Sequence, residues 1–463
     1  MLAVASPRSF RQLAVSGPGD LVFGRASRPV RCGFDLEIGS GQVFPEVNFT
    51  LPALAITEAT WSEVRSHYEE IAAGVLRRAT ALAAPGLVLE FELLPAMTER
   101  PEWGAEITAL LRSRLEQAHQ SNGLRSALRV TPVDIRDQGK PPRLREGGPA
   151  ETLLESIRAC VAAGADIVSI ESVGGKEVHD QGLLYGDLRG IALGLAVLAP
   201  LDMKWLWGRI AELCAAGHAI PGGDSACGFA NTAMQLAHQR MLPEVLAAVV
   251  RAMGAARSLV AFENGAVGPS KDCAYEGPVL KAITGCPISM EGKSASCAHF
   301  SPVGNIAAAM CDLWSNESVQ NVRLLSGSAP EAYTELLVYD CRLMNTALAR
   351  GGALLLRDWM TASDEWLSPQ AAVLSPEATC KIAEAILAES EDPYRRTLAA
   401  GRAALEIIAA GLKEGRLALS AKEQQWLARL ERAFDALPST AEQLAAETEA
   451  EYGHLYDRAS YGL

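Results

Sequence analysis

The 463-residue chain lacks any apolar run long enough to cross a membrane: the longest, Gly190 to Leu201, contains Pro200 and stops at Asp202. A helical span needs about 20 such residues. Basic charge is also scarce. Forty-two Lys and Arg stand against 55 Asp and Glu, a net charge of −13, which excludes a global footprint for nucleic acid or anionic lipid. Ten cysteines are too few for a disulfide-built scaffold and are expected to be reduced. Met1 to Gly19 carries Arg8 and Arg11 but no sustained apolar stretch, so no signal peptide is expected and the chain reads as soluble and cytoplasmic. Nucleotide signatures are missing too. Gly39-Ser40-Gly41 is followed by Pro45 where a dinucleotide fold would begin its helix, and Gly292-Lys293-Ser294 has Pro287 where a phosphate loop needs its first glycine. No fixed-period repeat or low-complexity run occurs, apart from a mild Ala bias towards the C-terminus.

What is present is an ordinary globular composition, 49% hydrophobic and 21% charged, with ample material for a core. The first 60 residues, rich in Gly and Pro, read as irregular. Helical periodicity then runs over Trp61–Ala83, Gly104–His119, Ala150–Ala163, Leu184–Leu198, Met203–Ala216 and Asn231–Ala255. Between them lie short aliphatic runs at Leu87–Glu92, Ala127–Ile135, Asp166–Ile170 and Ser258–Phe262, with weaker strand signals at Ile288–Met290 and Gln320–Leu325. Strands alternating with helices predict βαβ units, and a spacing of about 30 to 45 residues favours a (β/α)8 TIM barrel over an open sheet. The expected organisation is an irregular segment 1–60, a barrel 61–375 and a helical appendage 376–463.

Reactive groups of a parallel barrel sit at the C-terminal ends of its strands. Three places qualify: Glu171 after the apolar run 166–170, Cys227 after a Gly-Gly turn, and Cys273 after a Gly/Pro loop. Two thiolates and a carboxylate suit a divalent ion of borderline softness, zinc above all, and three protein ligands leave a fourth position open. The alternative reading is two buried thiols and a solvated loop acid. Cys297 with His299 reads as a packed pair, since i and i+2 face opposite ways in a strand. His179 beside Asp180 reads as a solvent-facing loop histidine. Trp205, Trp207, Cys311 and Cys341 read as packing.

The chain resembles the zinc-dependent methanol:corrinoid methyltransferases. The matching stretches are Leu21-Val-Phe-Gly24, Leu36-Glu-Ile-Gly39, Pro45-Glu-Val-Asn48, Trp103-Gly-Ala-Glu-Ile107, Ala163-Gly-Ala-Asp166, Ser169-Ile-Glu-Ser172 and Gly174-Gly-Lys-Glu-Val178. They continue with Ala230-Asn-Thr-Ala-Met234, Ala255-Ala-Arg-Ser-Leu-Val-Ala261, Gly265-Ala-Val-Gly-Pro269, Lys271-Asp-Cys273, Met290-Glu-Gly-Lys293, Cys297-Ala-His299 and Asp312-Leu-Trp-Ser-Asn-Glu-Ser318. Tyr339-Asp-Cys341, Met344-Asn-Thr-Ala-Leu348 and Tyr461-Gly462 complete the set. The resemblance implies a (β/α)8 barrel, zinc held by Glu171, Cys227 and Cys273, and transfer of a methyl group from methanol to cob(I)alamin. It also implies a homodimer within a heterotetramer. The chain departs from the family pattern at Ala226, Gly228-Phe229, Asn264 and Ser270.

No Asp-x-His-x-x-Gly corrinoid signature surrounds any of the seven histidines, so the cobalamin is expected on a separate corrinoid-binding protein. Asp224, Lys271 and Asp272 are the nearest candidates for protonating the departing oxygen. Two alternatives stand beside methanol activation: another methyl donor such as a methoxylated aromatic, suggested by Phe229, and an inactive docking scaffold.

Overall fold

The structure, a computed structural model, describes residues 8–49, 51, 54–271, 274–293, 302–316, 318, 323–324 and 327–463. A hairpin, β1 (Arg25–Cys32) and β2 (Leu36–Ser40), precedes a parallel sheet. The sheet strands are β3 (Phe44–Val47), β4 (Leu87–Leu93), β5 (Ser126–Pro132), β6 (Ile167–Ile170), β7 (Ile220–Asp224), β8 (Ser289–Glu291) and β9 (Leu313–Asn316), in the order β7-β6-β5-β4-β3-β9-β8. The place between β7 and β8 is filled by residues 267–270. Val267 N–H donates to Pro221 O at 2.9 Å, and Ser270 bridges Ile288 in parallel, its carbonyl accepting from Ser289 N–H at 3.1 Å. This segment closes an eight-position barrel, and it stays irregular partly because Pro269 has no N–H to give the ladder.

Several expected elements are confirmed within about a turn: helices Trp61–Ala81, Pro101–Asn122 and Gly148–Ala162, and strands β4, β5, β6 and β8. Others differ. β3 comes from the segment read as irregular; all four of its residues are buried, so it shows no alternation to detect. The strand expected at Ser258–Phe262 is the end of the helix Glu244–Glu263, in which every residue from Val245 to Phe262 is buried. A short apolar run buried on all sides looks the same in either conformation. The long helix expected over Asn231–Ala255 is broken between Thr232–His238 and Glu244–Glu263, where Arg240 adopts a positive φ and Pro243 precedes the new helix. Conversely, Leu184–Leu198 and Met203–Ala216 are not two helices. Residues Leu188–Gly217 run continuously through a π-helical stretch at Leu193–Leu198, whose displaced hydrogen bonds accommodate Pro200. Of the weak strand at Gln320–Leu325, only Arg323–Leu324 is described, paired antiparallel with Gly327–Ser328.

Against the expectation from uninterrupted apolar runs, the helices Leu188–Gly217 and Glu244–Glu263 are by length and composition apolar enough to cross a membrane, but most of the first one's apolar stretch and all of the second's are buried inside the molecule. The appendage provides part of that cover. Its helices Pro376–Ala388, Pro393–Lys413, Ala421–Asp435 and Ala441–Tyr452 are capped by Ser375, Asp392, Ser420 and Thr440, whose side chains accept first-turn N–H groups. Arg396 anchors the second of them to Glu263 through two bonds, at 2.6 and 2.9 Å.

Alternation along the strands sorts the barrel interior into levels. At the floor, Phe44, Val88, Ala127, Ile167 and Leu313 meet Cys32, Leu36 and Ile38 of the hairpin, which plugs the lower end. Two residues further along each strand the lining turns polar, with Glu46, Glu90, Arg129, Ser169 and Ser315. Another step leads to Asn48, Glu92, Thr131 and Glu171 at the mouth. Barrel interiors are usually filled by branched aliphatic residues. Here only the lowest level is.

Candidate functional site

Glu171 lies just past β6, bridged in parallel to Val133. Its side chain is about a third exposed, and its Oε1 lies 3.6 Å from Lys271 Nζ. The loop it begins is held from several directions. Ser172 N–H donates to Asp224 Oδ1 at 3.3 Å, Val173 N–H to Asp134 Oδ2 at 3.1 Å, and Gly175 N–H to the hydroxyl of Tyr461 at 2.9 Å. Behind it, the buried Arg136 fork pairs with both oxygens of Asp134 and of Asp202.

Cys227 follows the end of the adjacent strand, β7, and opens a π-helical turn, Cys227–Asn231. Asn231 Nδ2 donates to Cys227 Sγ at 3.1 Å. Seven of the eight described cysteines are buried, and Cys227 is the exception. Burial pushes the thiols of Cys32 and Cys214 up to about 12 and those of Cys160 and Cys380 to about 11, which makes them inert filling. Cys311 and Cys341 belong to the same buried class, as expected. Cys273 lies outside the described residues, as do Asp272, Cys297 and His299. Lys271 directly follows the barrel segment 267–270, and Glu171 and Cys227 follow the two strands before it in the sheet, β6 and β7.

Sequence reasoning missed the charged lining beneath these residues. Lys271 Nζ bonds Glu90 Oε1 at 3.0 Å and also Glu92. Glu90 accepts from Thr131 Oγ1 at 2.9 Å. Arg129 donates to Glu46 Oε1 at 2.6 Å, to Ser169 Oγ at 2.7 Å and to Pro269 O at 2.9 Å, while Ser289 donates to the other oxygen of Glu46. Burial raises Glu46 and Glu92 above the usual carboxylate range, in Glu92 with help from the charges of Glu171 and Glu90. Burial would raise Glu90 as well, but Lys271 and Arg129 together outweigh it and hold it low. The signal was available: Glu90, Glu92, Arg129 and Thr131 recur every second residue in strands buried on both faces, where such groups must point into the barrel.

Other candidates change meaning. Asp224, considered as a proton donor, is fully buried and bonded to Arg257 Nη1 at 2.9 Å and Trp207 Nε1 at 2.8 Å, so it is a structural hub. His179 is buried rather than solvent-facing, and burial lowers its pKa. Phe229 is buried between the edge of His179 and the Arg257 guanidinium, which removes the reason for expecting an aromatic methyl donor. Trp207 is packing, as read, and a hydrogen-bond donor besides.

Carboxylates outnumber cations in this lining, with Glu46, Glu90, Glu92 and Glu171 against Arg129 and Lys271, and the Cys227 sulfur accepts from an amide N–H of the kind that favours a thiolate. Among the described residues, which leave out Cys273, no three His, Cys, Asp or Glu side chains converge on one point that could hold a metal.

Residues 7–462 match the family described as methanol-cobalamin methyltransferase B subunit. A methanol–corrinoid protein co-methyltransferase of Methanosarcina barkeri is 36% identical over 448 residues, covering 96% of each chain. A chain in the crystal structure of the methanol:cobalamin methyltransferase complex from the same organism superposes with a TM-score of 0.95 at 35% identity. That match covers 98% of this chain and 100% of the other.

Proposed function

Because this chain belongs to the methanol-cobalamin methyltransferase B-subunit family and is a methyltransferase, we propose that it activates methanol at a zinc site formed by Glu171, Cys227 and Cys273. The methyl group passes to cob(I)alamin carried by a separate corrinoid protein. The observation that carries the reading is the placement of Glu171 and Cys227 beyond adjacent strands at the barrel mouth, with Asn231 donating to the Cys227 sulfur.

When bound, zinc would supply Lewis acidity to the alcohol oxygen and so ease departure of the methyl group. The chain's own groups do the rest. Asn231 holds the Cys227 sulfur in position. Lys271, bonded to Glu90 and Glu92 and close to Glu171, moderates the negative charge beneath the site. The apolar floor and hairpin close the lower end of the barrel, so substrate and corrinoid enter from the mouth. Thiolate ligands call for a reducing compartment, and the cytoplasm meets that requirement.

The test is zinc content together with methyl transfer. The purified chain is expected to hold one zinc per polypeptide and to form methylcobalamin from methanol and cob(I)alamin. Cys227→Ala is expected to lose both. Stoichiometric zinc with turnover only on another donor would overturn the methanol assignment, and absence of zinc would overturn the site.

A further inference from the structure

We infer that Arg257 is a positioning residue, holding the Glu171 loop and the Cys227 turn in mutual register; the inference rests on the zinc reading above. Arg257 lies on the buried helix Glu244–Glu263, outside the barrel, and is itself fully buried. Its Nη1 donates to Asp224 Oδ1 at 2.9 Å, at the end of β7. Its Nη2 donates to Ser172 O at 2.8 Å and Ser172 Oγ at 2.7 Å, in the residue after Glu171. Its guanidinium carbon lies 4.6 Å from the ring centroid of Phe229, inside the turn that Cys227 opens. One planar fork thus touches three segments flanking two predicted ligands.

Neighbouring groups extend the clamp. Asp224 Oδ1 also accepts from Ser172 N–H at 3.3 Å, tying the two loops directly. Ser258, the next residue on the helix, donates to Glu276 Oε1 at 2.7 Å, and the same oxygen accepts from Ala226 N–H at 2.7 Å. The backbone just before Cys227 is therefore also held from this helix.

Stability alone does not account for the arrangement. A buried ion pair costs about as much in desolvation as it returns, and an apolar pair of equal volume would serve the fold as well. What the guanidinium adds is direction: its donors lie in a fixed plane and engage two loops at set angles, which an ammonium cannot reproduce. Metal ligands have to be held within about 0.5 Å of their working geometry, and groups that orient them affect affinity about 10- to 100-fold.

The test uses Arg257→Lys and Ser172→Ala in the full chain, with Lys281→Met as a control. Lys281 forms an equally buried pair with Asp312, at 2.9 Å, at the opposite end of the barrel. Zinc affinity is measured by competition with a chromogenic chelator, and ligand geometry by the absorption spectrum of the Co(II)-substituted protein. Arg257→Lys is expected to weaken zinc about 10- to 100-fold and to alter the cobalt spectrum, Ser172→Ala to do so less, and Lys281→Met to lower the thermal midpoint with affinity unchanged. Parental affinity and spectrum in Arg257→Lys would overturn the inference, as would an equal loss in Lys281→Met. If Arg257→Lys does not fold, Ser172→Ala decides alone: an altered spectrum supports the inference and an unaltered one overturns it. A parent chain that binds no zinc defeats the zinc reading itself, an outcome distinct from a parent that binds zinc while its variants do so equally well.

Discussion

Lys271 Nζ lies 3.6 Å from Glu171 Oε1, within electrostatic reach but beyond hydrogen-bonding distance. The lysine bonds Glu92, on the same level as Glu171, and Glu90, one level deeper in the barrel. It therefore compensates the acids of the barrel lining.

That compensation predicts a large penalty for removing it. Lys271→Met leaves the buried Glu90 and the half-buried Glu92 without their shared cation and is expected to cost about 3 kcal/mol of stability in urea unfolding. Adding Glu90→Gln should recover part of the loss. A double variant no more stable than the single would show that the two residues are not coupled.

Glu276 predicts a pH dependence. Burial pushes its carboxyl from the usual 4.5 up to about 7, against the opposing Ala226 N–H and Ser258 hydroxyl. The folded protein then holds this proton more tightly than the unfolded chain. The associated stability is fully present below about pH 4.5 and is lost as pH rises through about 7. Between pH 5 and 7.5 the parent should lose about 2–3 kcal/mol more than Glu276→Gln in urea unfolding. Equal losses in the two proteins would contradict this assignment.

Asn231→Ala removes the donor to the Cys227 sulfur and should lower zinc affinity about tenfold. In the metal-free protein, alkylation of Cys227, followed on its own peptide by mass spectrometry, should slow, because the thiolate loses a stabilising N–H. An unchanged alkylation rate would show that the contact does not act on the sulfur.

Gly174→Ala tests the packing behind the Glu171 loop. Backbone conformation does not require glycine here; space does, because an added Cβ would overlap the Asp202 side chain. Displacing Asp202 disturbs its bonds to Arg136 and should cost about 1–3 kcal/mol, with a lower thermal midpoint and weaker zinc binding. A parental midpoint would mean that the loop yields without cost.

Much of the barrel was legible because its middle strands alternate with well-formed amphipathic helices; β4 to β6 and the helices between them follow directly from periodicity. The readings failed where both faces of an element are buried. Ser258–Phe262 resembles a strand, yet it ends the helix that carries Arg257 and Ser258 to the back of the site. β3 carries no alternation and was hidden in a Gly/Pro-rich region. Asp224, suspected as an acid, is bonded to Arg257 and Trp207, a relation between residues 17 and 33 positions apart that no local pattern displays.

By itself, then, the sequence determined the alternation that makes a barrel, and it pointed to Glu171 and Cys227, which stand after the adjacent strands β6 and β7. Family membership followed from the ordered stretches that run from Leu21 to Gly462. Only the tertiary structure decided what surrounds Glu171 and Cys227: the charged lining of Glu46, Glu90, Glu92, Arg129 and Lys271, and the clamp of Arg257 on two loops. The reason is physical. Periodicity records which side of an element avoids water, whereas buried ion pairs join elements far apart in the chain and leave no period to read.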